Sequence, residues 1–349
     1  MTGGHTDVIL TMEPAGGTPP DITCSDGMPS LLQQPAYGAA KAAGGGWRVE
    51  RGTFYEDEHS VGMYQALIRD LPAIGGGLVW INRGPRWRGA DDDTSSRIGQ
   101  ILSLIRDRYL PAGYYVRVAP GWPVDAVPDS AVQQAGFRAT GTPGWASSII
   151  DLTLPPQELR ANLHQKWRNT LNKAESGDLG VDHAADSAAL DEFVAAHQRD
   201  LDARGYPTGL DGPFIRSLHA ALAESKGLEF LFARQSDGCA VGAIAIAKYG
   251  ETAEYLAGHN DPSGRRAGAG QLLLWRALLA MREAGYARFD LGGMDPEMTP
   301  AGIYRFKERM GGVHYRLANE IEALGGGLRA GLVRWRVGIE QSRARPTQD

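Results

Sequence analysis

Cysteine is nearly missing from this 349-residue chain: Cys24 and Cys239 are the only two, and they stand far apart. That excludes a disulfide framework and fits a reducing, cytoplasmic setting. No apolar run approaches the roughly 20 residues that span a bilayer. The N-terminal MTGGHTDVILTMEPAGG lacks a basic leader, and its short apolar stretch ends at Glu13-Pro14, which argues against a signal peptide. The eight histidines show no paired ligand spacing, so no metal set is read from them. The G-x-S-x-G of serine hydrolases is absent. Charge of one sign is not in excess either. With 36 basic against 41 acidic residues the net charge is −5, which does not suit a protein that coats nucleic acid but allows a local basic patch for the end of an RNA.

What the chain does have is a hydrophobic fraction of 42% and many glycines, 46 in all. The length predicts two domains or one large one with a proper core. Residues 1–27, rich in Gly, Pro, Thr and Asp, read as a flexible arm, with order beginning near Met28. The patterning then predicts an Ala-rich helix ending at Lys41, strands at Trp47–Arg51 and Ser60–Asp70, and a buried strand Leu78–Asn82 closed by Arg83-Gly84-Pro85. A helix at Ser95–Tyr109, a strand at Tyr114–Ala119, a helix at Val124–Ala135 and a strand at Trp145–Leu152 complete the first half. After a long helix at Pro156–Ser176 the order repeats. A hairpin (Glu229–Arg234 and Cys239–Lys248), a strand Ala253–Ala257, a helix Gly270–Ala284, a strand Arg288–Leu291, a short helix bearing Lys307, and a strand Val313–Glu322 follow. Two copies of one mixed α/β unit are expected, one over 28–152 and one over 153–349 that includes the C-terminal helix.

Three constellations carry candidate chemistry. The first is FDLGGMDPEMTPAGIYRFKERMGG, residues 289–312, in which a strand runs through a Gly-Gly turn and a proline loop into a helix with Tyr304, Arg305, Phe306 and Lys307. Glycines free the backbone for close approach, and a lysine beside an aromatic at such a strand end can hold a developing negative charge. The plainer reading is a surface lysine with Tyr304 and Phe306 in the core. The second is Arg265-Arg-Ala-Gly268-Ala-Gly270 before a helix, which fits R-x-x-G-x-G, a pattern that wraps backbone amides around the pyrophosphate of CoA; glycines there equally suit any tight turn. The third is the helix around Trp167, where Leu159, Leu163, Trp167 and Leu171 make an apolar stripe. Beside it Arg160, His164, Arg168 and Asn172 make a row of donors suited to a diphosphate or an RNA backbone, or else a solvated face. A C-terminal helix with Arg329, Arg334, Arg336, Arg343 and Arg345 around Trp335 either meets an RNA stem or docks through Leu328, Leu332, Trp335 and Ile339.

GYARFDLGGMDPE followed by GIYRFKERMGG resembles the C-terminal motif of the FemABX family, peptidyl transferases that use aminoacyl-tRNA. LLQQPAYGAAK (31–41), WINRGP (80–85), LRANLHQKWRNTLNKAE (159–175) and LLLWRALLAMREAGY (272–286) fall in that family's order, so the resemblance runs from about Leu31 to about Glu322. It implies a tandem pair of GNAT-like acyltransferase domains. The region 176–230 is too short and too broken by Gly205, Pro207, Gly212 and Pro213 for the coiled-coil arm of some members, so the compact form is expected. It implies Lys307 and Phe306 at the reaction centre, with Tyr255, Arg83 and Tyr304 at the substrate. It implies that Lys41 and Arg168 clamp the phosphates of a nucleotide-linked peptide acceptor. The occupant of the Arg265, Gly268 and Gly270 loop is then CoA, a phosphate or the tRNA end. An aspartate that members often carry before the proline after Tyr114–Ala119 is Ala119 here, which leaves no evident general base.

The resemblance therefore implies a monomer that needs no cofactor beyond aminoacyl-tRNA as co-substrate. The acceptor would be a peptidoglycan precursor or a peptide or nucleoside antibiotic intermediate. An acetyl-CoA-dependent N-acyltransferase and a non-catalytic binding module are the competing classes.

Overall fold

The structure, a computed structural model, describes residues 8–13, 30–87, 94–204, 209–326 and 328–344. It divides into two compact units. Unit 1 comprises residues 1–145 and 316–349, and unit 2 comprises Ala146–Tyr315. Each is built on one sheet flanked by helices, the repeat that the patterning predicts.

In unit 1 strand β1 (Ile9–Met12) is followed by helix α1 (Pro35–Ala43), strands β2 (Arg48–Glu56), β3 (His59–Asp70), β4 (Gly77–Asn82) and β5 (Arg86–Trp87), and helix α2 (Thr94–Tyr109). Strand β6 (Tyr114–Ala119), helix α3 (Asp129–Gln134) and strand β7 (Arg138–Ala139) complete its first stretch. Ile98, Ile101, Leu102 and Ile105 recur at helical spacing on α2, and all are buried against Ile68, Val79, Val116 and Val118 of the sheet. The parallel pair of β4 and β6 stays in register over all six residues, from Gly77↔Tyr114 to Asn82↔Ala119.

Unit 2 begins with strand β8 (Ala146–Asp151), helices α4 (Pro156–Asn162) and α5 (Gln165–Glu175), strand β9 (Gly180–Ala184), and helices α6 (Ser187–Arg204) and α7 (Gly212–Ala221). Strands β10 (Leu228–Arg234), β11 (Ala240–Tyr249) and β12 (Thr252–Asn260), helices α8 (Pro262–Ala267) and α9 (Ala269–Glu283), strand β13 (Arg288–Asp290), helix α10 (Ala301–Glu308) and strand β14 (Val313–Arg316) follow. Its core gathers Leu163, Trp167 and Leu171 with Leu273, Trp275, Leu278 and Phe289. Between β9 and β10 there is no coiled-coil arm among the described residues, only two helices. The chain then returns to unit 1 with strand β15 (Ile321–Ala323) and helix α11 (Leu328–Ala344).

Several expectations are corrected. The stretch expected to be a flexible arm contains a strand, since β1 pairs antiparallel with β2 from Ile9↔Tyr55 to Met12↔Gly52. Val8 is buried there, and Glu13 bonds Arg51 and Thr53. The dividing line falls at Trp145, and the last strand of each expected half belongs to the other sheet. Strand β8 joins β13 and β14 in unit 2, while β15 lies between β6 and β7 in unit 1. The expected strand Val313–Glu322 is thus two short strands in two sheets. Helix α3 starts only at Asp129, because Pro128 takes an extended ψ of 141° and Val124 N–H is bonded to Arg316 O. The long helix at Pro156–Ser176 is two helices, broken where Leu163 takes ψ 136° and His164 caps α5 through the Lys166 N–H. Finally α11 packs through Val333 and Val337 against Leu78 and Tyr115, with Leu332 and Trp335 exposed. Its Arg334 pairs with Glu322.

Candidate active site

The two sheets differ where their parallel strands end. In unit 2 the parallel pair β12–β13 lasts three residues, from Thr252↔Arg288 to Glu254↔Asp290. The register between β11 and β12 then slips at Ala245/Ile246, which turns β12 aside from Tyr255 onward, while Leu291 N–H crosses to Ser148 O. Past this point the strands part. A cleft of about 290 Å³ opens there, with Tyr255, Asn260, Arg265, Gly270, Phe306 and Lys307 on its walls. The carboxyl ends of diverging parallel strands are where open α/β sheets take ligands.

Helix α10 drives Lys307 into this cleft. The side chain is only 6% exposed, and its ammonium donates to Gly293 O at 3.0 Å. It lies 5.1 Å from the centre of the Tyr255 ring, a distance at which the π face attracts a cation. Gly292 has φ +68°, and a Cβ there would meet Tyr255 O at 2.7 Å and Lys307 Nζ at 3.5 Å. A side chain at 292 would therefore be strained and would crowd the amine. Burial pushes the Lys307 amine down to about 8, against the opposing pull of the Asp290 and Glu254 carboxylates. With that value the amine carries its proton at neutral pH, at the wall of the cleft.

Phe306 separates this cleft from a second compartment of about 450 Å³, and both share Gln271, Gly302 and Phe306 in their linings. The second compartment is basic, with Lys166, Arg305 and Arg309 around it and no carboxylate among its lining residues. Trp167 forms its inner wall, 2% exposed, and the indole Nε1 has no hydrogen-bond partner among the described residues. Arg305 and Arg309 are an i, i+4 pair on α10 and its C-cap; together with the start of α9 they make a surface suited to phosphate.

The structure brings together Lys307, Phe306, Tyr255, Arg265 and Gly270 of the residues singled out by sequence. It does not bring in Tyr304, which packs partly buried on the core of unit 2 and is absent from the cleft lining. Arg83 and Lys41 belong to unit 1. Arg83 is buried with φ +54° and lies 3.9 Å from the centre of the Trp145 ring; Lys41 stands in the last turn of α1 over Tyr37.

The expected row of donors beside Trp167 is dispersed by the break between α4 and α5. Arg160 turns back onto Glu175 and Asn172, and Arg168 donates to the carbonyls of Arg160 and Ala161 that end α4. The glycines of the R-x-x-G-x-G loop have packing reasons of their own. Gly268, at φ +77°, faces Thr170 and Ala174 of α5, and Gly270 faces Phe306 and Asn260. Sequence reasoning missed Lys166, Arg309 and Trp167 as neighbours; the spacing of Arg305 and Arg309 was the readable part of that signal.

Residues 158–308 match the sequence family described as the acetyltransferase (GNAT) domain, which lies within unit 2. No curated protein matches the chain. Among solved structures FemX superposes with a TM-score of 0.75 at 16% identity, covering 89% of this chain and 95% of that one. The fold is that of FemX. Two weaker likenesses agree with it. A tandem GNAT protein from the clavulanic acid biosynthesis pathway gives a TM-score of 0.52 at 11% identity, covering 86% of this chain and 91% of that one. The C-terminal domain of a putative lysylphosphatidylglycerol synthetase from Agrobacterium fabrum gives 0.51 at 14% identity, with 88% and 93% covered. In this FemX-like fold the crevice of unit 2 is open at Lys307, whereas the matching parallel pair of unit 1 stays zipped to its end, where Arg83 N–H bonds Ala119 O at 2.7 Å.

Proposed function

We propose that the protein is a FemABX-type acyltransferase that moves an aminoacyl group from aminoacyl-tRNA to a primary amine of a peptide acceptor. The observation that carries this reading is the buried Lys307 cation in the crevice of unit 2, beside the basic compartment of Lys166, Arg305 and Arg309 and parted from it by Phe306. The acceptor amine attacks the ester carbonyl, a tetrahedral oxyanion forms, and the ribose hydroxyl of the tRNA leaves with the proton given up by the amine. Aminolysis of an ester is downhill, so positioning and charge stabilisation are what the protein must supply. Lys307 faces the developing oxyanion or the acceptor's carboxylate, and Phe306 and Tyr255 shape the pocket. Among the described residues no carboxylate lines either compartment, and on this reading the proton passes through substrate or water.

The basic compartment would take phosphates of the 3′ end of the RNA through Lys166, Arg305 and Arg309. The family resemblance assigns Lys41, in unit 1, and Arg168, in unit 2, each to the acceptor, which would be a cell-wall precursor or an antibiotic intermediate carrying a diphosphate. No helix among the described residues is long and apolar enough to cross a membrane.

A second reading, transfer from acetyl-CoA, is favoured by the GNAT match over 158–308 and by the start of α9 beside the basic compartment. It is weakened by Gly268 and Gly270, whose missing side chains are already accounted for by α5 and Phe306. Incubation with labelled charged tRNA or labelled acetyl-CoA separates the two: transfer abolished by prior ribonuclease supports the first, and ribonuclease-resistant transfer from acetyl-CoA supports the second.

A further inference from the structure

Behind Lys307, beneath the wall of its cleft, lies a buried carboxylate. Asp290, the last residue of β13, is 2% exposed and receives donors on both carboxylate oxygens. Gly292 N–H lies 2.8 Å from Oδ1 and the Ser147 hydroxyl 2.5 Å, while the Tyr315 hydroxyl lies 2.7 Å from Oδ2. The Ser147 oxygen also stands 2.7 Å from Gly292 O, so its one proton is shared between the carboxylate and the turn that follows it. The next carbonyl of that turn, Gly293 O, is the one that receives the Lys307 ammonium. One carboxylate therefore fixes the backbone that grips the lysine and supplies a charge opposite to it. Glu254, buried on β12 and bonded to the Tyr249 hydroxyl, adds a second. The other polar residues lining the cleft are Tyr255, whose ring faces the amine, and Asn260 from β12, Arg265 from α8 and Gln271 from α9.

We propose that Asp290 is the positioning residue of the active site: fastened by Ser147, Gly292 and Tyr315, it fixes the Gly292-Gly293 turn that holds the Lys307 ammonium in the cleft and places a carboxylate behind it. This rests on the reading of Lys307 as the group that faces the oxyanion. Burial pulls the Lys307 value down, and Asp290 is the larger of the two carboxylate contributions that oppose the fall. The role is one that sequence alone does not show, because Asp290 touches no cleft and reaches the chemistry only through Lys307 and the Gly292-Gly293 turn.

The variant Asp290→Asn is suited to the test. Its amide oxygen can keep the Gly292 N–H and the Ser147 hydroxyl, and its amide N–H can donate to the Tyr315 oxygen, so the turn stays fastened while the charge is gone. Titration of protein labelled with 13C at lysine Cε, with the Lys307 signal identified by its loss in Lys307→Arg, reads the amine directly. In the parent protein the midpoint is expected at about 8. In Asp290→Asn it moves down by about one pH unit or more, as loss of a buried countercharge requires. The high-pH fall of acyl transfer moves with it. Glu254→Gln moves the midpoint the same way by less. Tyr315→Phe, which keeps the carboxylate, leaves it near that of the parent. An unmoved midpoint in folded Asp290→Asn, or an equal shift in Tyr315→Phe, overturns the assignment. A midpoint that moves in a protein unable to use charged tRNA leaves the Asp290 role standing and overturns the aminoacyl-tRNA reading instead.

Discussion

Replacing Lys307 by methionine should make the protein more stable and nearly inactive at once. Methionine keeps the unbranched stem and its packing against Tyr255 and Phe306 but brings no charge into the cleft. The drop of the lysine from the ordinary 10.5 to about 8, at ~1.4 kcal/mol per pH unit, amounts to about 3 kcal/mol of stability forgone at pH 7. The lost bond to Gly293 O returns about 1 kcal/mol of that, so the variant gains about 2 kcal/mol. For a domain the size of unit 2 that is a rise in Tm of about 4–8 °C. Asp290 does not offset the gain, since its three donors remain.

The sign is fixed by linkage. A base whose folded value lies below its unfolded value lowers stability at every pH beneath about 8, and the cost fades as pH rises from there to 10.5. The advantage of Lys307→Met over the parent, measured by thermal unfolding at pH 7 and again near pH 10, should therefore shrink at the higher pH. Single-turnover transfer from charged tRNA should fall by about 10²–10³, the loss that follows removal of one oxyanion donor. Lys307→Arg should rescue poorly, because a planar fork does not replace a compact ammonium aimed at one oxygen. A variant that is less stable than the parent and transfers normally refutes the reasoning on both counts.

Three further outcomes are expected. Alanine at Lys166, Arg305 or Arg309 should raise KM for charged tRNA with little change in Tm, and each should flatten the dependence of log KM on log salt by about 0.7 per lost phosphate contact; an unchanged salt slope removes phosphate from that compartment. Lys41→Ala and Arg168→Ala should raise the acceptor's KM more than they lower kcat, since a remote phosphate is held alike in ground and transition states; equal acceptor binding by both variants counts against the clamp. Deletion of residues 1–13 should lower Tm, because it uncovers the edge of β2 and removes buried Val8 and the Glu13 bonds to Arg51 and Thr53; an unchanged Tm shows that β1 contributes nothing.

Much of the fold was legible because local pattern decides it. The isoleucines and leucines of α2, the turn between β10 and β11, and the six residues of β6 declare themselves within a dozen positions. What stayed hidden depends on partners far along the chain. Nothing in Ser148-Ile149-Ile150 says that the strand pairs with Phe289 rather than with Val118, and nothing in Ile321-Glu322-Ala323 says the reverse. The run Val8-Ile9-Leu10 did carry a strand signal, outweighed by the Gly and Pro around it. In α11 the valines at i and i+4 pack while the larger Leu332 and Trp335 face out, since size does not choose the buried face; the sheet surface does.

The site divides in the same way. Lys307 and Phe306 were readable as a motif. Glu254 and Asp290 sit on separate strands, 36 positions apart, and are brought beside Lys307 only by the register Glu254↔Asp290.

The most direct test of the central claim is a single-turnover reaction with tRNA charged with a labelled amino acid and a peptide bearing a free amine, run beside labelled acetyl-CoA. The account predicts amide-linked label on the peptide from charged tRNA, abolished by prior ribonuclease and lost in Lys307→Met, with none from acetyl-CoA. Label carried from acetyl-CoA, indifferent to ribonuclease and dependent on Arg265, would contradict it.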